Sequence, residues 1–184
     1  MFGFFEDDYG DTFNIAAVAA NDFVRLSLDN NTPINNAKPH MLMFVANGWY
    51  MVYNNEPMLD ENFLATRIGP IILTTYNFFS KYGTGPIRRP SLTWVYGRDG
   101  MKRIVSLSYG IFDSGAGSAI KAVWEKYGQV PEEELMSKML EFKNHPYTYT
   151  WQVKSNFGRG DVVIPNNLID EFFRPMLNYA PTKE

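Results

Sequence analysis

From Met41 to Tyr53 the chain carries no charged residue. At helical spacing Leu42, Val45, Ala46, Trp49 and Val52 fill one face, and Met41, Phe44 and Gly48 fill the adjoining one. Such a helix has almost no side to offer water and has to be wrapped by the rest of the chain. The run is shorter than the ~20 apolar residues a bilayer span requires, so it reads as the centre of a core. Pro39 falls in the first turn, where its missing N–H has no partner to lose. A chain of 184 residues is long enough to enclose this helix in one compact domain. At that size roughly 70% of the unfolded surface is buried, without help from a disulfide or a structural metal.

The flanking segments supply the wrapping. Asn14 is an N-cap candidate for a helix to about Asp29 with Ile15, Val18, Ala19, Phe23 and Leu26 on one side, and the Asn-rich stretch from Asn30 to Asn36 is turn chemistry. The segments Pro57–Leu59 and Phe63–Ile68 flank Asp60-Glu61-Asn62 and predict a small hairpin. Gly69-Pro70 then ends the strand and opens a helix carrying Ile72, Tyr76 and Phe79, which stops at Gly83. A second hairpin runs from Leu92–Tyr96 through Gly97-Arg98-Asp99-Gly100 to Met101–Ser108. Helices follow from Ser114 or Ser118 to Tyr127, from Pro131 with its three glutamates in the first turn, and from Pro165 with Leu168, Ile169, Phe172 and Phe173 on one side. Between the last two, Tyr147, Tyr149, Trp151 and Val153 alternate with Thr148, Thr150 and Gln152, a period that predicts extended chain. The fold class expected is mainly α (α+β): one compact helical domain over residues 14–178 with one or two small β-hairpins. An acidic and aromatic arm (residues 1–13) precedes it and a loose tail (179–184) follows.

Most of the familiar chemistries are excluded by what the chain lacks. With no cysteine there is no zinc ribbon, thiol nucleophile or disulfide framework. The two histidines, His40 and His145, are far apart and form no His-x-x-x-His pair, so no metal and no cofactor is expected. His40 beside Pro39 reads as a surface or capping residue, and His145 before Pro146 as one that satisfies the carbonyls of a helix end. Ser114 and Ser118 lie in no Gly-x-Ser-x-Gly elbow. Gly115-Ala116-Gly117-Ser118 with Lys121 lacks the Gly-Lys-Ser/Thr ending of a phosphate loop and reads as a helix entry. Seventeen basic against twenty acidic residues give a net charge of -3, which argues against direct nucleic-acid binding. The first residues lack the basic start and longer apolar stretch of an export signal.

The order of the pieces resembles the Panacea domain, also called the SocA-like or GepA-like family. The resemblance rests on Phe44-Val45-Ala46-Asn47-Gly48-Trp49-Tyr50, then Glu56 to Glu61, Ala65-Thr66-Arg67-Ile68-Gly69-Pro70-Ile71 with Tyr76, and Lys81 to Ile87. It continues in Val123 to Gly128, Glu134-Leu135, His145-Pro146 and Ile164 to Phe173, and spans about residues 14–178. Two positions depart from the pattern: Met41-Leu42-Met43-Phe44 stands where Lys-Leu-Leu-Tyr is usual, and Thr66 precedes Arg67 where an aromatic is common. The resemblance implies a non-enzymatic interaction domain of the kind found in antitoxins, which neutralise unrelated toxins by direct binding or, as adaptors, present them to a protease. Similar proteins are carried by phages and mobile elements.

The expected partner is therefore a protein, either a toxin or a defence factor, with a host protease as third member if the chain acts as an adaptor. The expected setting is the bacterial cytoplasm. The contact candidates are Trp49, Tyr50, Arg67, Tyr76, Trp94, Arg98 and Trp151, because Trp, Tyr and Arg carry most interface energy once desolvated. Trp49 and Tyr76 equally fit the apolar faces of their helices. Two other readings compete: a phage structural or assembly protein, found in the virion, that docks through the arm and the 91–108 hairpin, and an enzyme with a site around His145, Tyr147 and Asp161.

Overall fold

A computed structural model describes residues 14–96, 98–111, 113–157 and 161–179; the arm and most of the tail expected from the sequence lie outside the described residues. The central helix is α2 (Lys38–Asn54), wrapped by α1 (Ile15–Asp29), α4 (Ser114–Tyr127), α5 (Glu132–Glu141) and α7 (Asn166–Phe173). Short α3 (Leu73–Phe79) packs on α1, and α6 (Pro146–Phe157) on α5 and α7. The expected mainly helical, compact α+β architecture is what forms. Met41, Leu42, Met43, Phe44, Met51 and Val52 of α2 are all buried. At about 1.5–3 kcal/mol for each fully buried side chain of this size, α2 alone contributes an amount comparable with the net stability of a domain.

The polar residues of α2 tie it to its surroundings. Lys38 is buried, donates from Nζ to the Gly128 carbonyl at 2.6 Å beyond the C-terminus of α4, and is pushed down by desolvation. At the other end the Tyr50 hydroxyl donates to Asp113 Oδ2 at 2.7 Å, just before α4 begins. The two bonds clamp α2 and α4 antiparallel. Midway, Asn47 Oδ1 accepts from the backbone N–H groups of Met58 and Leu59 at 2.9 and 3.3 Å and folds the following loop back onto the helix.

The first hairpin is displaced from its expected position. Strands β1 (Leu64–Thr66) and β2 (Gly69–Ile71) pair antiparallel around the two-residue turn Arg67-Ile68, so Gly69 and Pro70 form a strand and α3 starts only at Leu73. Proline is admissible there because β2 is an edge strand. Thr66 closes the turn, its hydroxyl donating to the Gly69 carbonyl and accepting from the Ile68 N–H, while Gly69 takes φ 114°. A third strand, β5 (Val162–Val163), which the sequence reading missed, pairs with the other side of β1. The second hairpin forms as expected from β3 (Thr93–Tyr96) and β4 (Lys102–Val105).

The alternating segment is not extended but is helix α6. Thr148 and Thr150 are buried and Tyr149 is exposed, so the alternation does not follow burial. Thr148 donates its hydroxyl to the Met139 carbonyl at 2.6 Å, and Tyr147 and Trp151, one turn apart, stack within 15° of parallel. Pro146 at the first helical position and the bond from the Tyr147 N–H to His145 Nδ1 start the helix.

Gly48 is where α2 and α7 meet, and a methyl group on it would overlap the Phe173 ring. Alanine there gains about 1 kcal/mol of helix propensity and loses about 1–3 kcal/mol to overpacking. Gly48→Ala is therefore expected to lower the thermal midpoint by several degrees; a midpoint unchanged or raised in a calorimetric scan would show that Phe173 does not sit on Gly48.

Candidate functional site

A groove of about 550 Å³ opens to solvent between the C-terminal half of α2 and the length of α4. Its wall is aromatic: Trp49 and Tyr50 are backed by the core, and Tyr53, one turn beyond Trp49, is 68% exposed. Its floor is the face of α4 made by Gly115, Ser118, Ala119 and Ala122, residues three and four apart with too little side chain to fill the space. Val123, Lys126 and Tyr127 close the far end, the Lys126 ammonium lying 5.3 Å from the Tyr127 ring centre. Trp49 meets Phe173 edge to face at 5.5 Å, so α7 supports the wall from behind.

The polar groups beside the groove are already engaged. Asp113 accepts from Tyr50 and caps α4 through Oδ1, which takes the Gly115 and Ala116 N–H groups at 2.8 and 3.0 Å. The Tyr50 bond first, then the backbone bonds, hold the carboxyl below its usual range. The same bond, with burial and the nearby charge of Asp113, pushes Tyr50 up to about 12. Neither group is poised to move a proton near neutral pH. The amides that a phosphate would need at the glycine-rich entry are taken by Asp113, and Ser118 donates back to the Ser114 carbonyl at 2.8 Å.

Of the seven contact candidates, Trp49 and Tyr50 share this groove, and Arg67, Tyr76, Arg98 and Trp151 lie elsewhere. Arg67 is exposed in the β1–β2 turn; Tyr76 is half-buried on α3, where its carbonyl accepts from Asn36 Nδ2 at 2.9 Å; Trp151 is half-buried on α6 against Tyr147. Arg98 is exposed at the tip of the second hairpin. The Trp94 backbone pairs with Ile104, and its side chain lies outside the described residues. Tyr53, Ala119, Ala122 and Lys126 were missed. The signal for them was present in the i, i+4 pair Trp49/Tyr53 and in the small residues of α4 at helical spacing.

His40 departs from its expected role and His145 keeps only part of its own. His40 is fully buried, neither surface nor cap of its own helix, and its Nδ1 accepts the Ile72 N–H at 3.2 Å, which orients the entry to α3. His145 does follow a helix end, its backbone N–H donating to the carbonyl of Phe142, the C-cap of α5, at 2.9 Å, but its ring is buried and starts α6, lying 4.8 Å from Phe172 and 5.5 Å from Phe44. Tyr147, whose hydroxyl donates to the Thr66 carbonyl at 2.8 Å, is likewise a core residue. Asp161 is exposed ahead of β5. A smaller cleft of about 240 Å³ lies between α6 and α7, lined by Tyr149, Glu171 and Phe172 among others. Among the described residues no group of three or more His, Cys, Asp or Glu is placed to hold a metal ion, and no helix is long and apolar enough to cross a membrane.

No protein-family model, curated protein or solved structure matches the chain.

Burial pushes His40 down to about 3 and His145 down to about 4 from the ordinary 6.5. Each folded-state value lies below the unfolded one, so the stability these neutral imidazoles represent is complete above pH 6.5 and is lost as pH falls toward 4. Together they are expected to remove roughly 2–3 kcal/mol of unfolding free energy between pH 7 and pH 5.5. Urea titrations at several pH values check this; a flat profile over that window would mean that the imidazoles are not held neutral.

Proposed function

We propose that this chain is a protein-binding module that neutralises a partner protein, a toxin or a defence factor, by direct contact, in the way the Panacea resemblance implies. The observation that carries the reading is the α2/α4 groove: an open aromatic and aliphatic trough on a rigid, core-anchored helix pair, rimmed by an exposed Tyr53. Apolar troughs of this form between helices are a recurring way of accepting an apolar segment of another polypeptide. Tyrosine and tryptophan on fixed helices lose little conformational entropy on contact. The polar groups beside it hold the groove in shape, which supports binding over turnover. The Panacea-like reading also puts the chain in the bacterial cytoplasm, with the partner encoded nearby and a protease as the third member if the partner is degraded.

The test is co-expression with the product of the neighbouring gene. The wild-type chain is expected to copurify with it and to restore growth. Ala122→Arg, which fills the groove from an exposed position on α4, is expected to weaken the complex on the order of a hundredfold, about 2.7 kcal/mol, and to abolish rescue with the thermal midpoint unchanged. Rescue that survives Ala122→Arg would remove the groove from the reading, and absence of any complex would remove the reading itself.

One observation favours the second reading, a phage structural or assembly role. The second hairpin and its approach expose Leu92, Met101 and Ile104, apolar residues suited to docking in a particle. Mass spectrometry of purified virions separates the two: the neutralising reading expects the chain to be absent from them.

A further inference from the structure

The basic residues of the chain are not spread evenly. Residues 86–105 hold Arg88, Arg89, Arg98, Lys102 and Arg103 against the single acid Asp99, a balance of +4. Of the 17 basic and 20 acidic residues this leaves 12 against 19, or -7, for everything else. The net charge of -3, which speaks against nucleic acid when taken for the whole chain, is therefore the average of a basic ribbon and an acidic remainder.

That ribbon is the β3–β4 hairpin with the segment leading into it. It forms a two-stranded sheet of its own, and a hairpin of that kind needs support from elsewhere. One turn of α1 supplies it. Buried Asn21 accepts from the N–H and hydroxyl of Ser91 at 2.7 and 2.9 Å and donates back to the Ser91 carbonyl at 3.2 Å. Arg25, one turn on, donates to the carbonyl and hydroxyl oxygens of Ser106 at 2.8 and 2.7 Å and is itself held by Asp22 at 2.7 Å. Both strands are thus fixed at the base. Beyond it, Arg98 to Ile104 are exposed without a break. Successive side chains of a strand point to opposite faces, so the exposure of Lys102, Arg103 and Ile104 in a row leaves neither face of β4 covered there. From Ser106 back to Lys102 the strand spans roughly 14 Å, more than the Debye length of about 8 Å at physiological ionic strength. The acids of the body are correspondingly screened from the tip.

Arg88 and Arg89 are exposed at the base, between the bond from the Ile87 N–H to the Ile34 carbonyl at 2.8 Å and the bonds of Ser91 to Asn21. Asp99, the acid of the ribbon, is spent on Arg103. We propose that the hairpin is a second binding surface, which lays these basic residues along the phosphodiester backbone of a nucleic-acid duplex. Four of the five are arginines, whose planar guanidinium takes phosphate oxygens in pairs. They stand in two groups, at the base and at the tip. A duplex carries one negative charge per ~1.7 Å of its axis and meets both groups whatever its sequence, whereas an acidic polypeptide would need its carboxylates at those two places. A two-stranded ribbon also fits a major groove about 12 Å wide. Contacts of this kind position the chain on the backbone and read no sequence.

The test is the fluorescence anisotropy of a labelled DNA duplex of arbitrary sequence, titrated with the full chain at low and at physiological salt. Binding is expected on the order of micromolar at low salt and to weaken steeply as salt rises. Arg98→Glu with Lys102→Glu is expected to weaken it about tenfold or more and to flatten the salt slope by about 2. Lys121→Glu with Lys138→Glu, exposed on α4 and α5, changes the net charge by the same amount and is expected to leave both readings in place. Equal losses for the two pairs would put the effect in net charge alone and overturn the proposal, as would absence of binding at low salt. Poly-glutamate that competes as well as the duplex, charge for charge, would assign the hairpin to an acidic polypeptide, and tighter binding of the separated single strand would remove the duplex; either result overturns it. None of these measurements involves the α2/α4 groove, so the hairpin can fail while the groove still binds a protein, and the reverse.

Discussion

A helix with no charged residue over thirteen positions cannot be left at a surface, and the rest of this molecule is arranged to cover α2. The covering is not purely apolar. Lys38, His40, Asn47 and Tyr50 each reach a different neighbour: the end of α4, the start of α3, the loop before β1 and the cap of α4. Those four bonds give register to what would otherwise be contact between greasy surfaces free to slide. Gly48 completes the arrangement by letting the Phe173 ring lie against the helix backbone.

The groove follows from how α2 is covered. α1 and α7 bring bulky side chains, whereas the outward face of α4 brings Gly115, Ser118, Ala119 and Ala122, so cover is incomplete along that one seam. What remains visible is the edge of the core itself, Trp49 and Tyr50, with Tyr53 projecting past it. Because both walls are fixed at their two ends by Lys38–Gly128 and Tyr50–Asp113, the seam keeps its width without a ligand. A preformed apolar trough of this kind favours association by removing the ordering cost that a flexible surface would carry.

Charge is distributed unevenly between this body and its N-terminal segment. A net charge of -3 invites the inference of an acidic surface seeking a basic partner, yet residues 14–184, with 17 basic against 16 acidic residues once Glu6, Asp7, Asp8 and Asp11 are set aside, are close to neutral and slightly positive. Whatever meets the groove meets apolar surface first and Lys126 second.

The sequence by itself determined that α2 is central, that α1 is capped by Asn14, that α4 ends at Gly128, that α5 begins at Pro131, and that the second hairpin turns at its Asp-Gly, because these depend on local chemistry within a few residues. Tertiary structure decided the remainder. α6 reads as a strand, and is a helix because Thr148 finds the Met139 carbonyl and Tyr147 finds Thr66. Gly69-Pro70 reads as a helix entry, and is a strand because β5, about ninety residues away in sequence, builds a sheet on β1 and leaves an edge where proline is tolerated. His40 and His145 read as surface or terminal residues until the elements that bury them are in place. The groove was half legible: Trp49 and Tyr50 stood out as aromatic, but that α4 would lay its smallest residues beside them depends on a pairing of two helices sixty residues apart, which no local pattern encodes.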